Sequence, residues 1–347
     1  MKKMLFLLLA GLLLVTQAAC GSGGGSQSGG QGPSQTQSSD ASEGKKEKIS
    51  WKMGHIVVED HIWHKTAVKF AELVAEKTDG QIEITVFPNS QLGGEVDVLN
   101  LIRAGTADLT ISGETMANWA PKAALMAVPY GFRDEEHMKK VIASDIGREI
   151  ESEIIEKVGV TPLYYHLRAP RNLTSNKPVH SPDDVKNFRI RVPNVPLFLD
   201  AWAAVGAKPQ VMDFKEVFTA LQQNVIDGQE NPYDLIYSGS LYEVQKYVNQ
   251  TEHVRQWVYV VIGNKQLESL SSELKQAVLE AAAEAQEYGQ ELFTAEIEDY
   301  RQKLIDKGMQ INEDVDREAF KRAMEEAVRK NLSDEQFALY ERIQQIQ

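Results

Sequence analysis

The chain has 347 residues, with 50 acidic against 37 basic side chains and a formal net charge of −13 at pH 7. This balance argues against nucleic-acid binding, which needs a basic face for the phosphates. With 42% hydrophobic and 25% charged residues, the chain is globular and long enough for two cores. The sequence contains no phosphate-binding loop, GxGxxG, CxxC or GxSxG motif.

The N-terminus has the pattern of an export signal. Lys2 and Lys3 precede an apolar stretch from Met4 to Val15, which is shorter than the roughly 20 residues that cross a bilayer but suits a signal peptide. Cys20 is the only cysteine and stands where such a signal is cleaved. We therefore predict that residues 1–20 are a lipoprotein signal peptide with lipidation at Cys20. An ordinary secretory signal that leaves a soluble product is the alternative.

Residues 21–47 form a tract rich in Gly, Ser and Gln. Such a composition cannot bury a hydrophobic core. A flexible coil of this length has a root-mean-square reach of roughly 30 Å. The tract is therefore predicted to be a tether that holds a folded body clear of a membrane surface.

The first folded block alternates strands and helices. Its predicted elements, in chain order, are a strand in "ISWKMGHIVV", a helix over residues 62–79, a strand in "QIEITVF", a helix over about 95–104 and a strand in "ADLTIS". The assignments follow from hydrophobic residues that recur with period two in strands and with helical period in helices. This order predicts an α/β fold, with a mostly parallel sheet and helices on both faces.

The same alternation restarts near residue 160. "RIRV" and "VMDF" are predicted strands, and Asp213 followed by Glu216 indicates the start of the helix that carries "EVFTALQQ". A third block begins with the strand "VYVVIG" and continues in a helix from about Ser272 to Lys307. At about 1.5 Å per residue this helix is about 50 Å long, so we expect it to lie across two lobes. A coiled-coil arm is less consistent, because the apolar residues keep no heptad.

The segment "FRIRVPN", residues 188–194, is a candidate anion site. Its alternation places Arg189 and Arg191 on one face of a strand. Arg191 lies at the carboxyl end of that strand, where ligands bind in open α/β sheets. A guanidinium there can hold a carboxylate by two parallel hydrogen bonds. Arg189 is expected to reach solvent or an acidic neighbour, and a surface position remains the alternative for Arg191.

Two other classes of function receive weaker support. His55, His61 and His64, with Glu59 and Asp60 between them, suggest a metal-binding receptor, but no convincing fourth ligand accompanies them. We therefore predict no metal site and no cofactor. A secreted hydrolase would need a nucleophile with its base, or two opposed carboxylates. No such spacing can be singled out, so the protein is predicted not to be an enzyme.

Several segments together resemble a known family. "VFPNSQLGGE", "GTADLTI", "VPYGFRDEEH", "RNLTSNKPVHSPDDVKNFRIRVPN" and "EVFTALQQNVIDGQENPYD" occur in this order. They resemble the substrate-binding subunit of tripartite ATP-independent periplasmic (TRAP) transporters, of the DctP type. The resemblance runs from about Lys48 to about residue 330, which is nearly the whole predicted mature chain.

The resemblance implies a fold like that of periplasmic binding proteins, with a ligand cleft between two α/β lobes and a long helix that crosses both. The predicted boundaries are residues 48–168 plus 257–296 for lobe I, and 169–256 plus 297–347 for lobe II. The implied function is extracytoplasmic capture of a small organic acid and its delivery to the small and large membrane subunits of a sodium-driven permease. With lipidation, the protein would be anchored to the cell membrane.

The resemblance also implies roles for individual residues. Arg191 forms the salt bridge to the ligand carboxylate, Asn231 supports the same carboxylate, and Arg171 lines the cleft beside it. Phe214 packs on the ligand. Further predicted binding residues are Glu95, Glu114, Arg168 and Asn194.

The predicted ligand is a hydroxylated monocarboxylate, such as a sugar acid. Glu114 would accept hydrogen bonds from hydroxyl groups and would repel a second carboxylate. Arg168 and Arg171 argue in the other direction, so a C4-dicarboxylate stays open as the alternative.

Overall fold

The computed structural model describes residues 48–347. The predicted signal peptide, the tether and Cys20 all fall within residues 1–47 and lie outside the described residues. Within residues 48–347, no helix combines the length and the apolar character that crossing a membrane requires.

The described part of the chain contains strands and helices that alternate over much of its length. The strands are β1 (Ile49–Gly54), β2 (Ile82–Phe87), β3 (Leu109–Ser112), β4 (Val160–Leu167), β5 (Arg171–Ser175), β6 (Arg189–Val192), β7 (Lys208–Val211), β8 (Gly228–Asn231), β9 (Tyr247–Val254), β10 (Trp257–Gly263) and β11 (Gln310–Asn312). The helices are α1 (Ile62–Lys77), α2 (Glu95–Arg103), α3 (Glu135–Ala143), α4 (Asp145–Glu153), α5 (Pro196–Ala204), α6 (Phe214–Gln222), α7 (Tyr233–Ser238), α8 (Asn264–Glu268), α9 (Ser272–Asp306), α10 (Arg317–Asn331) and α11 (Asp334–Gln345).

The strands form two sheets, one in each lobe. The first sheet has the order β2-β1-β3-β10-β4, and the second has the order β11-β9-β5-β8-β6-β7. The chain passes from the first sheet to the second between β4 and β5 and returns between β9 and β10. The two-lobed α/β architecture predicted from the sequence is confirmed.

The sheets are mixed rather than mostly parallel. β1 runs parallel to β2 and β3, as the strand–helix alternation predicts. β10 runs antiparallel to β3 and β4, because it enters the first sheet from the other lobe instead of following a helix of its own lobe. In the second sheet β6 is parallel to β7 and β8, whereas β5 is antiparallel to β8 and β9.

Local sequence signals explain most element boundaries. His61 begins α1, since its Nδ1 accepts a hydrogen bond from the backbone N–H of Trp63 at 3.1 Å. The predicted strand "VMDF" is wrong beyond its first residue, because β7 ends at Val211. Asp213 begins α6 instead, and its N–H donates to Oε2 of Glu216 at 3.1 Å, as in a capping box.

The long helix α9 contacts both lobes. It has 35 residues, about 50 Å at about 1.5 Å per residue, and it packs against α1 and β4 of the first lobe and α7 of the second. α10 packs against α5 and β9 of the second lobe.

The last helix, α11, lies against first-lobe residues. Nε2 of Gln336 donates to the carbonyl of Pro121 at 2.6 Å, and Nε2 of His137 lies 2.9 Å from the carbonyl of Ile343. The predicted boundaries assign residues 297–347 to lobe II, and α11 departs from that assignment. The other boundaries stay a prediction.

Candidate functional site

Arg191 is a buried cation at the point where the two lobes meet. It lies in β6, between β7 and β8, and only 4% of the residue is exposed. Its Nε donates to the carbonyl of Met212 at 2.9 Å, which orients the guanidinium and leaves Nη1 and Nη2 without a hydrogen-bond partner among residues 48–347. Burial lowers the pKa of Arg191 to about 10, so the side chain keeps its charge at neutral pH. The guanidinium carbon lies 5.9 Å from the ring centroid of Phe214.

Arg189 has a different environment, although it alternates onto the same strand face. Its Nη2 lies 2.6 Å from Oδ1 of Asp227, and its Nε lies 3.1 Å from Oδ2. The side chain is 39% exposed. Arg189 therefore has the acidic neighbour that the sequence suggested, and it does not contribute to the buried site.

Arg171 is bonded to a carboxylate inside the protein. Its Nε and Nη2 lie 2.5 and 2.6 Å from the two carboxylate oxygens of Glu230. Nε2 of His253 lies 2.9 Å from Oε2 of the same carboxylate. Burial raises the pKa of Glu230, but the charge and hydrogen bonds of Arg171 outweigh it and lower that pKa to about 2. The Arg171 and Glu230 charges compensate each other.

Two carboxylates of the first lobe lie near Arg171 and Arg191. Oε1 of Glu114 is 3.9 Å from Nη1 of Arg171, and its Oε2 accepts a hydrogen bond from Gln256 at 2.9 Å. Oε2 of Glu95 accepts a hydrogen bond from Thr115 at 2.7 Å. Burial, followed by the negative charge of Glu114, raises the pKa of Glu95. The wall facing the arginines is thus rich in hydrogen-bond acceptors.

The remaining predicted residues occupy different positions. A cavity of about 40 Å³ is lined by Glu95 on the first lobe and by Arg191, Asn194 and Phe214 on the second. Asn231 is buried in β8 and donates through Nδ2 to Oε1 of Gln229 at 2.6 Å. Asn194 is exposed.

Arg168 is a third buried arginine, in the link from β4 to β5. It is 4% exposed, and its guanidinium carbon lies 5.2 Å from the ring centroid of Trp63. Burial, followed by the positive charge of Arg171, lowers its pKa. The structure therefore brings Arg168, Arg171 and Arg191 into one charged region with Glu95, Glu114 and Glu230.

The three histidines of the N-terminal segment have different contacts: two of them contact each other, and the third contacts an aspartate. Nε2 of His55 lies 3.1 Å from Nδ1 of His64, and Nε2 of His61 lies 3.1 Å from Oδ2 of Asp234. In the described part of the chain, no group of three or more His, Cys, Asp or Glu side chains has the arrangement that could hold a metal ion. His61 instead links the first lobe to α7 of the second.

Sequence reasoning missed Glu230, His253 and Asp234. Glu230 directly precedes the predicted Asn231 in the segment "QENP", so its position next to a candidate was a usable signal. His253 and Asp234 have no local pattern that marks them, because their partners are far away in the sequence.

Comparison with known families decides the identity of the fold and its class of function. The sequence model for the family described as bacterial extracellular solute-binding protein, family 7 (DctP), matches residues 53–335. The chain belongs to the DctP family. This DctP protein is the extracytoplasmic substrate-binding subunit of a TRAP transporter, and the family resemblance read from the sequence is confirmed.

Similar proteins cover nearly all of the described residues. A solute-binding protein of Roseobacter denitrificans is 49% identical over 289 residues, which are 83% of this chain and 89% of that protein. The 2,3-diketo-L-gulonate-binding periplasmic protein of Escherichia coli is 33% identical over 286 residues, 81% of this chain and 86% of its own length. A crystal structure of a TRAP periplasmic solute-binding protein from Roseobacter denitrificans with bound L-galactonate has a TM-score of 0.84 and 48% identity, covering 86% of this chain and 99% of that one.

Proposed function

We propose that this DctP protein binds a sugar acid in the cleft between its lobes, with the ligand carboxylate on Arg191, and delivers it to a TRAP permease. The observation that carries the proposal is the environment of Arg191. The guanidinium is buried and oriented through Nε by Met212, while Nη1 and Nη2 are available to a ligand. A buried charge needs a partner of opposite sign, and a carboxylate matches two guanidinium donors.

The acceptors opposite the arginines favour a ligand with several hydroxyl groups. Glu95 and Glu114 can accept hydrogen bonds from hydroxyls, whereas a second ligand carboxylate beside them would be repelled. Arg171 already binds Glu230 through two donors, which weakens the case for a C4-dicarboxylate. The similar proteins with named ligands, L-galactonate and 2,3-diketo-L-gulonate, support the choice of a sugar acid.

The other predicted residues have supporting roles in this proposal. Phe214, beside Arg191 at the cavity, packs on the carbon skeleton of the acid. Asn231 assists at the carboxylate, and Arg171 keeps the local charge balanced through Glu230. Asn194 closes the rim of the cavity.

We further propose that the protein is held at the membrane through lipidated Cys20 and the tether of residues 21–47, and that it releases its ligand chemically unchanged. The family membership supports an extracytoplasmic position. A tethered receptor stays near its permease, which raises the local concentration of the captured acid.

A thermal-shift screen against organic acids tests this function. Ligand at 100 times its dissociation constant adds about 2.7 kcal/mol to the free energy of unfolding, so the unfolding temperature should rise with aldonates or uronates. Succinate and malate serve as the dicarboxylate controls. Product analysis after long incubation should recover the acid intact. A shift with dicarboxylates alone, or conversion of the acid, would overturn the proposal.

A further inference from the structure

Arg168 has donors that the described protein leaves unused. Its side chain is buried, yet neither Nε nor Nη2 has a hydrogen-bond partner among residues 48–347. Nε and Nη2 form one edge of the planar guanidinium, with two parallel donors. Two unpaired donors on a buried charged group are costly. That edge is therefore suited to a bound partner with two acceptor atoms.

Gln256 connects Arg168 to a carboxylate of the first lobe. The backbone N–H of Arg168 donates to the carbonyl of Gln256 at 3.1 Å. The side chain of the same Gln256 donates to Glu114 at 2.9 Å. The guanidinium carbon of Arg168 lies over the ring of Trp63, 5.2 Å from its centroid.

Arg168 and Arg191 share some electrostatic neighbours and differ in others. Arg171 and Glu95 act on both guanidinium groups. Glu114 and Asp234 also act on Arg168, whereas the further neighbours of Arg191 are Glu230 and Asp213. The two cations therefore belong to one charged region and differ in part of their charged neighbours.

We propose that the Nε–Nη2 edge of Arg168 binds two neighbouring hydroxyl oxygens at the distal end of the sugar acid whose carboxylate Arg191 holds. This inference rests on the proposed function and specifies which groups of the ligand are recognised at the end away from its carboxylate. Arg168 makes the protein selective for polyhydroxy acids that are long enough to reach it. Shorter acids leave its two donors without a partner.

Hydroxyl groups fit this position better than a second carboxylate. The charges that act on Arg168 include the carboxylates of Glu95, Glu114 and Asp234. These carboxylates would repel a second carboxylate of the ligand. A hydroxyl accepts from the guanidinium and can donate its own proton to a nearby carboxylate. The rival explanation is structural: Oδ1 of Asp234 also has no partner among the described residues, and Arg168 would then only balance that charge.

A ligand-by-variant comparison separates these explanations. Calorimetry would measure the dissociation constants of L-galactonate (six carbons) and D-erythronate (four carbons) for the parent protein, Arg168→Met and Arg168→Lys. Arg168→Met should weaken L-galactonate binding roughly 10- to 100-fold and D-erythronate binding less than about 3-fold. Arg168→Lys should bind L-galactonate little more tightly than Arg168→Met does, because the lysine ammonium lacks the two parallel donors of a guanidinium. The matched control is Arg103→Met, since Arg103 is exposed and stacks on Trp119 at 5.4 Å.

The outcomes are distinct. Equal losses for both acids would overturn the proposal and assign Arg168 a purely structural role. Tight succinate binding that Arg168→Met abolishes would overturn it as well, because the arginine would then hold a second carboxylate. If the parent protein binds none of these acids, the proposed function itself fails. If Arg168→Met does not fold, the affinities of the parent protein test the inference. The parent should then bind L-galactonate roughly 10- to 100-fold more tightly than D-erythronate. Equal affinities would overturn the inference.

Discussion

Arg171 and Glu230 form a doubly hydrogen-bonded ion pair in the protein interior. Nε lies 2.5 Å from Oε2, and Nη2 lies 2.6 Å from Oε1. Both residues are almost fully buried, at 2% and 0% exposure, and His253 adds a contact to the same carboxylate. Arg171 thus differs from Arg191, whose only close protein acceptor in the described part of the chain is a backbone carbonyl.

This pair should make stability depend on pH. The pKa of Glu230 is lowered from 4.5 to about 2 in the folded protein. Its stabilising contribution is therefore fully present above about pH 4.5 and is lost as the pH falls toward 2. The shift corresponds to about 3 kcal/mol. Denaturant unfolding of the parent protein at pH 7, 4 and 3 should show this loss.

Glu230→Gln provides the comparison. Removing the carboxylate leaves the Arg171 charge buried without its partner, which costs roughly 3–5 kcal/mol at pH 7. Between pH 7 and pH 3 the variant should then lose less stability than the parent, by about 2 kcal/mol. Parallel acid profiles in the two proteins would contradict the pairing as the origin of the shift.

The burial of the arginines predicts a conformational change on binding. Arg191 and Arg168 are each 4% exposed, so an acid cannot reach them unless the lobes separate. We expect hinge closure around the ligand, and small-angle scattering should show a smaller radius of gyration after L-galactonate is added. Arg191→Ala at the same acid concentration is the control that should not shrink. An unchanged radius of the parent protein at saturation would count against closure.

The proposed anchor predicts that membrane retention and ligand binding are separable. Cys20→Ser should release the protein from the membrane fraction, because the thiol that would carry the lipid is gone. Ligand affinity should stay the same, since the site lies within residues 53–335, which match the family. Fractionation followed by calorimetry measures both properties. Equal retention of the variant would rule out lipidation at this position.

Local patterns made much of the fold predictable. The alternation of "RIRV" matches β6 (Arg189–Val192), and the Asp213–Glu216 pattern marks the start of α6. The helix predicted over residues 62–79 matches α1 (Ile62–Lys77), in which Phe70 and Leu73 are both buried. These signals depend on neighbours within a few residues, which a single sequence displays directly.

Long-range pairing was not predictable from the sequence. Arg171 reaches Glu230 because β5 lies antiparallel to β8, with Leu173 opposite Glu230. That register depends on the strand order of the second sheet, which local patterns do not contain. The antiparallel direction of β10 and the position of α11 on the first lobe were not predictable either. Both depend on where the chain crosses between the lobes, which local patterns do not contain.

Because Arg189 is paired with Asp227, we expect it to play a negligible role in ligand binding. The Arg189–Asp227 pair is more than one-third exposed on both sides, and exposed ion pairs contribute little to stability because water and salt screen them. Arg189→Ala should therefore leave the midpoint of a denaturant titration nearly unchanged, and its affinity for the acid should match that of the parent. A larger loss of affinity would mean that the strand face as a whole carries the charge recognition.

The role of Arg191 is tested by titration calorimetry with L-galactonate on the parent protein, Arg191→Ala, Arg191→Lys and Arg189→Ala. Removing Arg191 leaves a buried ligand carboxylate without its partner, which costs roughly 3–5 kcal/mol, or about two to four decades in the dissociation constant. Arg191→Lys keeps the charge but lacks the two-donor geometry, so it should lose much of the affinity too. Arg189→Ala should bind like the parent. If Arg191→Ala binds the acid as tightly as the parent protein, Arg191 does not anchor the ligand carboxylate.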